Sequence, residues 1–314
     1  MLNLSDIQAA HTRIAPYVRR TPLLAARPLK SGLSGDWSLF LKLENLQITG
    51  SFKARGAINK LLTLEETTGE VPGLVTASGG NHGLGVAYAG WMRSKPATIF
   101  LPESTPPIKA QKIATWGAEV IYQGQVWDEA NLAALELAER RGLAYFHPFA
   151  DPVVIAGQGT IGLEIMEDAP GLDSLLVAIG GGGLMAGVAL AVKAINPAVR
   201  LIGIEPTGAP TLYESLKAGK PVELDAIRTG VGTLAPRMSS QVNFDIIRQH
   251  VSEIVLVSDE EMAAAQQWLW VELGIASELA GTAAIAALLT GKVRPGPGER
   301  VGVVICAANA DIRF

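Results

Sequence analysis

Short apolar runs rich in β-branched residues alternate along the chain with longer stretches rich in alanine and leucine, and this alternation constrains the fold most strongly. It predicts an α/β protein with mostly parallel sheets, because a helix follows nearly every strand and can cover it. The predicted strands cover residues 38–42, 74–77, 97–101, 118–122, 175–179, 200–204 and 301–305. The predicted helices cover residues 53–64, 80–93, 107–116, 127–141, 155–169, 184–195, 211–218, 259–273 and 278–289. Such sheets bind ligands at the carboxyl ends of their strands, so the loops there are the first candidates for a site.

Composition narrows the class of protein. The chain of 314 residues has a formal net charge of −4, so no basic surface for nucleic acid or an anionic membrane is expected. The single cysteine, Cys306, excludes an intramolecular disulfide and a multi-cysteine zinc site, and it fits a reducing compartment. No segment has the pattern of a signal peptide or of a membrane span. We therefore expect a cytoplasmic protein that acts on small molecules.

Four consecutive glycines, at 180–183, follow a predicted strand and open a predicted helix. Their backbone N–H groups are not screened by side chains, and the helix N-terminus carries a partial positive charge that attracts phosphate. No Gly-Lys-Ser/Thr follows, and the dinucleotide fingerprint is absent. The motif predicts a phosphate site, with a tight turn that binds no ligand as the alternative.

A lone lysine, Lys53, follows Phe52 in the sequence SFKARG at 51–56. A partly buried amine at the start of a helix has a lowered pKa and can form an imine with a carbonyl compound. For this motif alone, a solvated surface lysine beside Arg55 is the alternative.

The sequence ASGGNH at 77–82 also lies between a predicted strand and a predicted helix. Free N–H groups there, with the Ser78 hydroxyl and the Asn81 amide, can bind a carboxylate or a phenolate oxygen. The alternatives are an ordinary helix cap for Ser78 and a packed histidine, rather than a general base, for His82. Cys306, after the last predicted strand, either faces a ligand or fills the core.

In this order and at these separations, the motifs resemble the fold-type II family of pyridoxal-phosphate enzymes, specifically its serine/threonine dehydratase (threonine ammonia-lyase) branch. The resemblance rests on RTPL at 20–23, KLENLQITGSFKARGA at 42–57, ASGGNHGLGVAYA at 77–89, GQGTIGLEI at 157–165, GGGGLMAG at 180–187, GIEP at 203–206 and CAANAD at 306–311. It implies two three-layer α/β/α domains like those of the tryptophan synthase β-chain, in a homodimer. The large domain would comprise residues 1–70 and 150–314, and the small mobile domain residues 71–149.

The resemblance also implies roles for individual residues. Lys53 would carry pyridoxal 5′-phosphate as an imine, Phe52 would pack on the ring, Asn81 would meet the 3′-oxygen, and Cys306 would face the pyridine nitrogen. The phosphate would be held by Gly180, Gly181, Gly182, Gly183 and Leu184. The substrate carboxylate would be received by Ser78, Gly80, Asn81 and His82. The freed Lys53 amine would remove the α-proton of a β-hydroxy amino acid, whose hydroxyl then leaves, and hydrolysis yields a 2-oxo acid and ammonia.

The sequence departs from the family pattern at three places. Family racemases have a serine at the position of Gly79 as an acid/base group on the opposite face of the substrate, and glycine has no proton to give. In the family's divalent-cation site Glu205 and the Ala209 carbonyl match, but Thr211 replaces an aspartate, so we expect a monovalent ion, a weakly held divalent ion or no metal. The end of the chain at Phe314 predicts that the regulatory domain of biosynthetic threonine deaminases is absent.

Rival functions stay open at this point. A β-hydroxyaspartate dehydratase, a β-replacement synthase and an amino-acid racemase would use the same scaffold. From another class, a non-catalytic small-molecule binding protein would keep the phosphate site but has no reason to keep Lys53.

Overall fold

The computed structural model describes residues 2–27, 29–30, 33 and 35–309, with two sheets covered by helices. The helices are α1 (Leu4–Ile14), α2 (Lys53–Thr68), α3 (Asn81–Met92), α4 (Pro107–Ala114), α5 (Trp127–Arg141), α6 (Pro152–Asp168), α7 (Gly183–Ile195), α8 (Thr211–Ala218), α9 (Gln241–His250), α10 (Asp259–Leu273) and α11 (Leu279–Leu289). The strands are β1 (Leu23–Ala25), β2 (Ser38–Lys42), β3 (Leu74–Ala77), β4 (Ala97–Leu101), β5 (Glu119–Tyr122), β6 (Ala144–Tyr145), β7 (Ser174–Ala178), β8 (Arg200–Pro206), β9 (Glu253–Val257) and β10 (Arg300–Val304). Short 3-10 helices lie at Glu44–Leu46 and Gly232–Leu234.

The larger sheet has six strands in the order β1-β2-β10-β7-β8-β9, and only β1 pairs in the antiparallel sense. The smaller sheet has four parallel strands in the order β5-β4-β3-β6. Central strands such as β3 and β7 are buried along their whole length, as expected for parallel strands covered by helices on both faces. The predicted α/β fold class is confirmed. Within the described part of the chain, none of the helices is long and apolar enough to cross a membrane.

Helix α2 lies where the two sheets meet. It packs against α3 and α6, and Ala57, Ile58 and Leu61 belong to the buried cluster of the smaller sheet. The smaller sheet is formed by strands between residues 74 and 145, and the larger sheet by strands before and after them. The division into the two predicted domains stays a prediction. Since Lys53 is the first residue of α2, this junction determines where its amine lies.

A network of buried charges fixes the first turn of α2. The Arg55 guanidinium donates hydrogen bonds to Glu44 at 2.8 and 2.9 Å and to Glu164 at 2.7 and 2.9 Å. Lys42 donates to Glu164 at 2.5 Å and to the Thr21 carbonyl at 2.7 Å. Burial alone would raise the pKa of Glu164, but the Arg55 and Lys42 charges outweigh it and hold that pKa below its usual value. The two cations and two anions compensate each other and tie β2, α2 and α6 together.

Candidate active site

The Lys53 amine is partly buried and lies away from acidic side chains. Its Nζ donates to the Pro148 carbonyl at 2.6 Å, and in the described part of the chain it forms no ion pair with a carboxylate. Burial lowers the pKa of Lys53 from its usual 10.5 to about 8. At pH 7 about a tenth of the amine is therefore neutral and nucleophilic, far more than for a lysine with its usual pKa. The Phe52 ring lies below it, 5.1 Å from Nζ to the ring centroid.

The four glycines form a turn in which no side chain fits. A Cβ in ideal geometry would lie 3.0 Å from the Thr233 carbonyl oxygen at Gly180, 2.2 Å from the Phe149 ring at Gly181 and 3.0 Å from the Phe149 carbonyl oxygen at Gly183. Gly182 has a φ of +93°, which favours glycine, and it gives α7 no side-chain cap. No hydrogen-bond acceptor is found for the N–H groups of residues 181–184 within the described part of the chain. An anion fits this uncapped helix N-terminus.

Two consecutive residues bring Lys53 and the glycine turn together. Pro148 accepts the hydrogen bond from Lys53, while the ring of Phe149 packs on Gly181. The amide of Asn243 fixes this arrangement by donating to the Phe149 carbonyl at 2.9 Å and to the Gly181 carbonyl at 2.8 Å. A reactive amine and an anion site are thus adjacent, as a phosphorylated aldehyde requires.

The loop at 78–82 has backbone N–H groups, at Gly79, Asn81 and His82, that have no acceptor among the described residues. Helix α3 has no side-chain cap, because its N-cap residue is Gly80; the Ser78 hydroxyl accepts from Gly80 N at 3.3 Å within the loop. The Asn81 amide is held on both sides: its Nδ2 donates to Glu278 Oε1 at 2.9 Å and its Oδ1 accepts from Asn309 Nδ2 at 2.5 Å. The loop can therefore bind an anionic group through its backbone, with Asn81 in a fixed orientation.

The two histidines near Lys53 are neutral. His82 is buried and its Nε2 donates to the Phe146 carbonyl at 2.9 Å, so burial and the Lys53 charge hold its pKa well below the usual value. His147 accepts from Phe149 N and Ala150 N, and burial and the Lys53 charge lower its pKa to about 4. The interpretation of His82 as a packed histidine agrees with this geometry. One ring nitrogen of each imidazole is engaged by the backbone, His82 Nε2 and His147 Nδ1.

Cys306 is a buried neutral thiol beside this site. It is 4% exposed, and burial together with the nearby Glu278 raises the pKa of the thiol. Its carbonyl accepts from Phe52 N at 3.2 Å, which places it next to the residue that precedes Lys53. The role of Cys306 toward a pyridine nitrogen stays a prediction.

Two residues that the sequence motifs did not identify, Thr233 and Glu278, join the predicted loops. The Thr233 hydroxyl donates to Glu278 Oε1 at 3.2 Å, on the same oxygen that accepts from Asn81. The Thr233 methyl would lie 3.6 Å from a Cβ on Gly80, and its carbonyl borders Gly180. Thr233 therefore lies between the loop at 78–82 and the glycine turn. Burial raises the pKa of Glu278.

The residues of the predicted cation site, at the start of α8, do not fit a divalent ion. Both oxygens of Glu205 accept backbone hydrogen bonds from α8, from Leu212 N at 2.8 Å and from Tyr213 N at 2.9 Å. Burial raises the pKa of Glu205 to about 8. The Thr211 hydroxyl donates to the Pro236 carbonyl at 2.7 Å, and no cluster of three acidic, histidine or cysteine side chains suited to a metal occurs in the described residues. Glu205 acts here as the cap of α8, and Ala209 lies buried in the turn before it.

Fold and site together define an enzyme that works through a phosphorylated aldehyde cofactor held between an amine and a helix N-terminus. Residues 14–307 match the family model described as "Pyridoxal-phosphate dependent enzyme". The chain therefore belongs to the pyridoxal-phosphate dependent enzyme family, and pyridoxal phosphate is its cofactor.

Several relatives cover nearly the whole chain. The L-threonine ammonia-lyase of Thermotoga maritima is 40% identical over 314 residues, which are 100% of this chain and 77% of that protein. The crystal structure of the threonine deaminase from T.th. has a TM-score of 0.92 and 39% identity, over 99% of this chain and 100% of that chain. Maize serine racemase also has a TM-score of 0.92, with 32% identity over 99% of this chain and 94% of that chain. The resemblance to fold type II is confirmed, but the fold alone does not distinguish a deaminase from a racemase.

The crowding around Gly181 leads to a first prediction. We expect Gly181→Ala to weaken pyridoxal-phosphate binding about tenfold or more, because the added methyl would lie 2.2 Å from the Phe149 ring and the turn must shift. The dissociation constant is measured by titrating apoenzyme with cofactor. Gly296→Ala is the control, since its Cβ would meet nothing closer than 3.7 Å. Equal affinities for both variants would contradict a phosphate role for the turn.

Proposed function

We propose that this protein is an ammonia-lyase that converts a β-hydroxy amino acid, L-threonine or L-serine, to a 2-oxo acid and ammonia. The observation that carries the proposal is the partly buried Lys53 amine, whose pKa is lowered to about 8 beside an uncapped anion-binding turn. Relatives at about 40% identity over the full chain, named L-threonine ammonia-lyase, support this substrate class.

Each loop has a part in this reaction. Bound at Lys53, pyridoxal phosphate supplies the electron sink that stabilises negative charge at the substrate Cα. The N–H groups of residues 181–184 would hold its phosphate, and the loop at 78–82 would hold the substrate carboxylate through the N–H groups that have no acceptor within the described part of the chain, those of Gly79, Asn81 and His82. The Lys53 amine takes the α-proton and holds it as an ammonium. The buried Cys306 thiol stays neutral and places no charge beside the ring.

The number of proton-exchanging groups favours elimination over racemisation. Lys53 has a nucleophilic amine in the site, whereas His82 and His147 are neutral and bonded to the backbone. Gly79 offers no hydroxyl. A carbanion formed at Cα is therefore reprotonated slowly on its other face, and loss of the β-hydroxyl competes well.

A substrate panel tests the proposal directly. Purified holoenzyme is incubated with L-threonine, L-serine, their D-isomers and both β-hydroxyaspartates, and 2-oxo acid, ammonia and enantiomers are quantified. We expect equimolar 2-oxo acid and ammonia from L-threonine or L-serine. Turnover restricted to β-hydroxyaspartate, or D-isomer as the main product, would reject the assignment.

The other functions are distinguished in the same preparation. A β-replacement synthase would consume added sulfide and form cysteine, which amino-acid analysis of a parallel incubation with L-serine and sulfide detects. A non-catalytic binding protein would form no product at all, and it is disfavoured by the membership of an enzyme family.

We expect the activity to be independent of divalent cations. Glu205 already accepts two backbone hydrogen bonds and Thr211 supplies no carboxylate, so a hard cation lacks an anionic ligand. Activity after dialysis against EDTA should equal that before it, and calorimetry should show no tight Mg²⁺ or Ca²⁺ binding. Thr211→Asp, which adds a carboxylate, is expected to bind Mg²⁺ or Ca²⁺ tightly enough to be measured by calorimetry. Inactivation by EDTA that Mg²⁺ reverses would show that the cation site is functional.

We further propose a homodimer in the cytoplasm, as the family resemblance implies. Trp270 and Val271 on α10 are 62% and 74% exposed, and self-association would bury apolar side chains of this kind. The one cysteine is buried and free, which suits a reducing compartment.

A further inference from the structure

Thr105, in the loop between β4 and α4, stands against Gly79 in the loop proposed to bind the substrate carboxylate. A Cβ in ideal geometry on Gly79 would lie 2.7 Å from Thr105 Cγ2 and 3.2 Å from Thr105 Oγ1. The next atom, Leu101 Cδ2, is at 3.6 Å, an ordinary contact. Because carbon atoms pack best at roughly 3.5–4.0 Å, Thr105 alone among the described residues excludes a side chain from position 79.

The Thr105 side chain is poorly able to move aside. A β-branched side chain has restricted rotation about χ1. The Thr105 N–H donates to the Pro102 carbonyl at 2.9 Å, and Pro106 and Pro107 follow at the start of α4. The prolines fix the backbone φ angles there. A side chain introduced at position 79 would therefore displace the carboxylate-binding loop rather than Thr105.

We propose that Thr105 is a positioning residue that keeps position 79 free of any side chain and thereby prevents a second acid/base group from being placed there. The proposal rests on the proposed function, since a second acid/base group matters only to an enzyme that removes the α-proton. The same fold serves lyases and racemases, so side chains must decide between the two reactions. Here the deciding contact involves a residue outside the loop that carries Gly79.

The proton balance shows what Thr105 would prevent. In racemisation the Cα–H bond breaks toward the Lys53 amine, which becomes an ammonium. The electron pair left at Cα then forms a new C–H bond on the opposite face with a proton from a second group. Exchange with water returns a proton to that group and removes one from Lys53. Without room at position 79, no such group can be placed there.

The test combines substitutions at both positions in the holoenzyme. In Gly79→Ser/Thr105→Ala both close atoms of Thr105 are removed, so the new hydroxyl fits without moving the loop. We expect the ratio of D-serine to 2-oxo acid formed from L-serine to rise about tenfold or more over wild type and over Gly79→Ser, because a positioned acid/base contributes ~10²–10⁴-fold. Chiral chromatography and a 2-oxo acid assay measure the two products.

Matched variants separate the effect of the Thr105 methyl group from that of a hydroxyl at position 79. Gly79→Ser/Thr105→Val keeps the obstructing methyl and should form no more D-serine than Gly79→Ser. Gly79→Ala/Thr105→Ala opens the space without a hydroxyl and should form none. Thr105→Ala alone should form no more D-serine than wild type, because glycine at position 79 still offers no hydroxyl. Gly79→Ser/Thr105→Ser, which removes only the methyl, serves as a second route if the alanine combination fails to fold.

The outcomes separate this proposal from the proposed function. Absence of D-serine from the folded, cofactor-loaded alanine and serine combinations would overturn the role of Thr105. Equal D-serine formation by Gly79→Ser and Gly79→Ser/Thr105→Ala would also overturn it. The same holds if Gly79→Ser/Thr105→Val forms as much D-serine as the alanine combination. If wild type forms no 2-oxo acid from L-serine or L-threonine, the proposed function itself fails, whatever the variants do.

Discussion

Lys53→Ala is expected to abolish 2-oxo acid formation, with a fall in kcat of at least about 10⁴-fold, because the variant lacks both the amine that binds the aldehyde and the base that takes the α-proton. The visible absorption band of the holoenzyme should disappear with it. Both changes are measured on purified protein saturated with pyridoxal phosphate. The geometry supports this size of effect, since the Lys53 amine contacts the Pro148 carbonyl while His82 and His147 are held by backbone groups.

Stability measurements show whether such a loss comes from chemistry or from unfolding. Burial lowers the pKa of Lys53 from 10.5 to about 8, so the folded apoprotein holds an unfavourably buried charge at pH 7. Replacing that amine in Lys53→Met should raise the free energy of unfolding of apoprotein at pH 7 by about 2 kcal/mol, allowing for partial exposure.

The pH dependence has a defined sign. Below pH 8 both folded and unfolded wild type are protonated at Lys53, and the destabilisation is complete. Between about 8 and 10.5 the folded protein releases this proton first, so wild-type stability rises relative to Lys53→Met. Urea unfolding at pH 7 and pH 9.5 measures the difference. A variant that is less stable than wild type at pH 7, or a difference that does not shrink with pH, would contradict the burial of the amine.

Arg55→Met is expected to lower the free energy of unfolding by about 3–5 kcal/mol, the largest effect on stability that the structure predicts. The substitution leaves the Glu44 and Glu164 carboxylates buried, with Lys42 as their one remaining cation in the network. Arg55→Lys should recover only part of the loss, because lysine cannot donate the four hydrogen bonds with the same planar geometry. Urea unfolding of the apoprotein gives both values.

A surface ion pair provides the control for this effect. Arg248 pairs with Asp245 at 3.4 Å, with side chains 58% and 49% exposed. Arg248→Met should change the free energy of unfolding by no more than about 0.5 kcal/mol. If Arg55→Met and Arg248→Met lowered the free energy of unfolding by similar amounts, burial of the charge network would contribute nothing to stability.

Much of the fold was predictable from local patterns. The predicted bounds of β2, β3, β4, α5 and α10 coincide with those of the structure. The sequence analysis missed β1 and β6, which have only three and two residues and carry too little periodicity to be recognised. It also missed β9 and α1, although the apolar run EIVLV and the capping box of Asn3 with Asp6 were usable signals.

The site was predictable only in part, because motifs identify residues and not their partners. Lys53, the glycine turn and the loop at 78–82 stand out as sequences. Pro148 lies 95 residues from Lys53, and Glu278 lies 197 residues from Asn81, so nothing local indicates either contact. The obstruction of Gly79 by Thr105 depends equally on how β3 and β4 pair. The one usable hint was Glu278, an acidic residue directly before the apolar helix α11.

The contacts of Pro148 and Phe149 have a consequence for any opening of the protein. These residues lie on the short connection by which the chain leaves β6 of the smaller sheet and enters α6 beside the larger one. A hinge motion between the two sheets would pull on this connection and change the contacts to the amine and to the glycine turn in the same step. Entry of substrate and retention of the cofactor would then be coupled, because a motion that admits substrate would also weaken the contacts at the glycine turn.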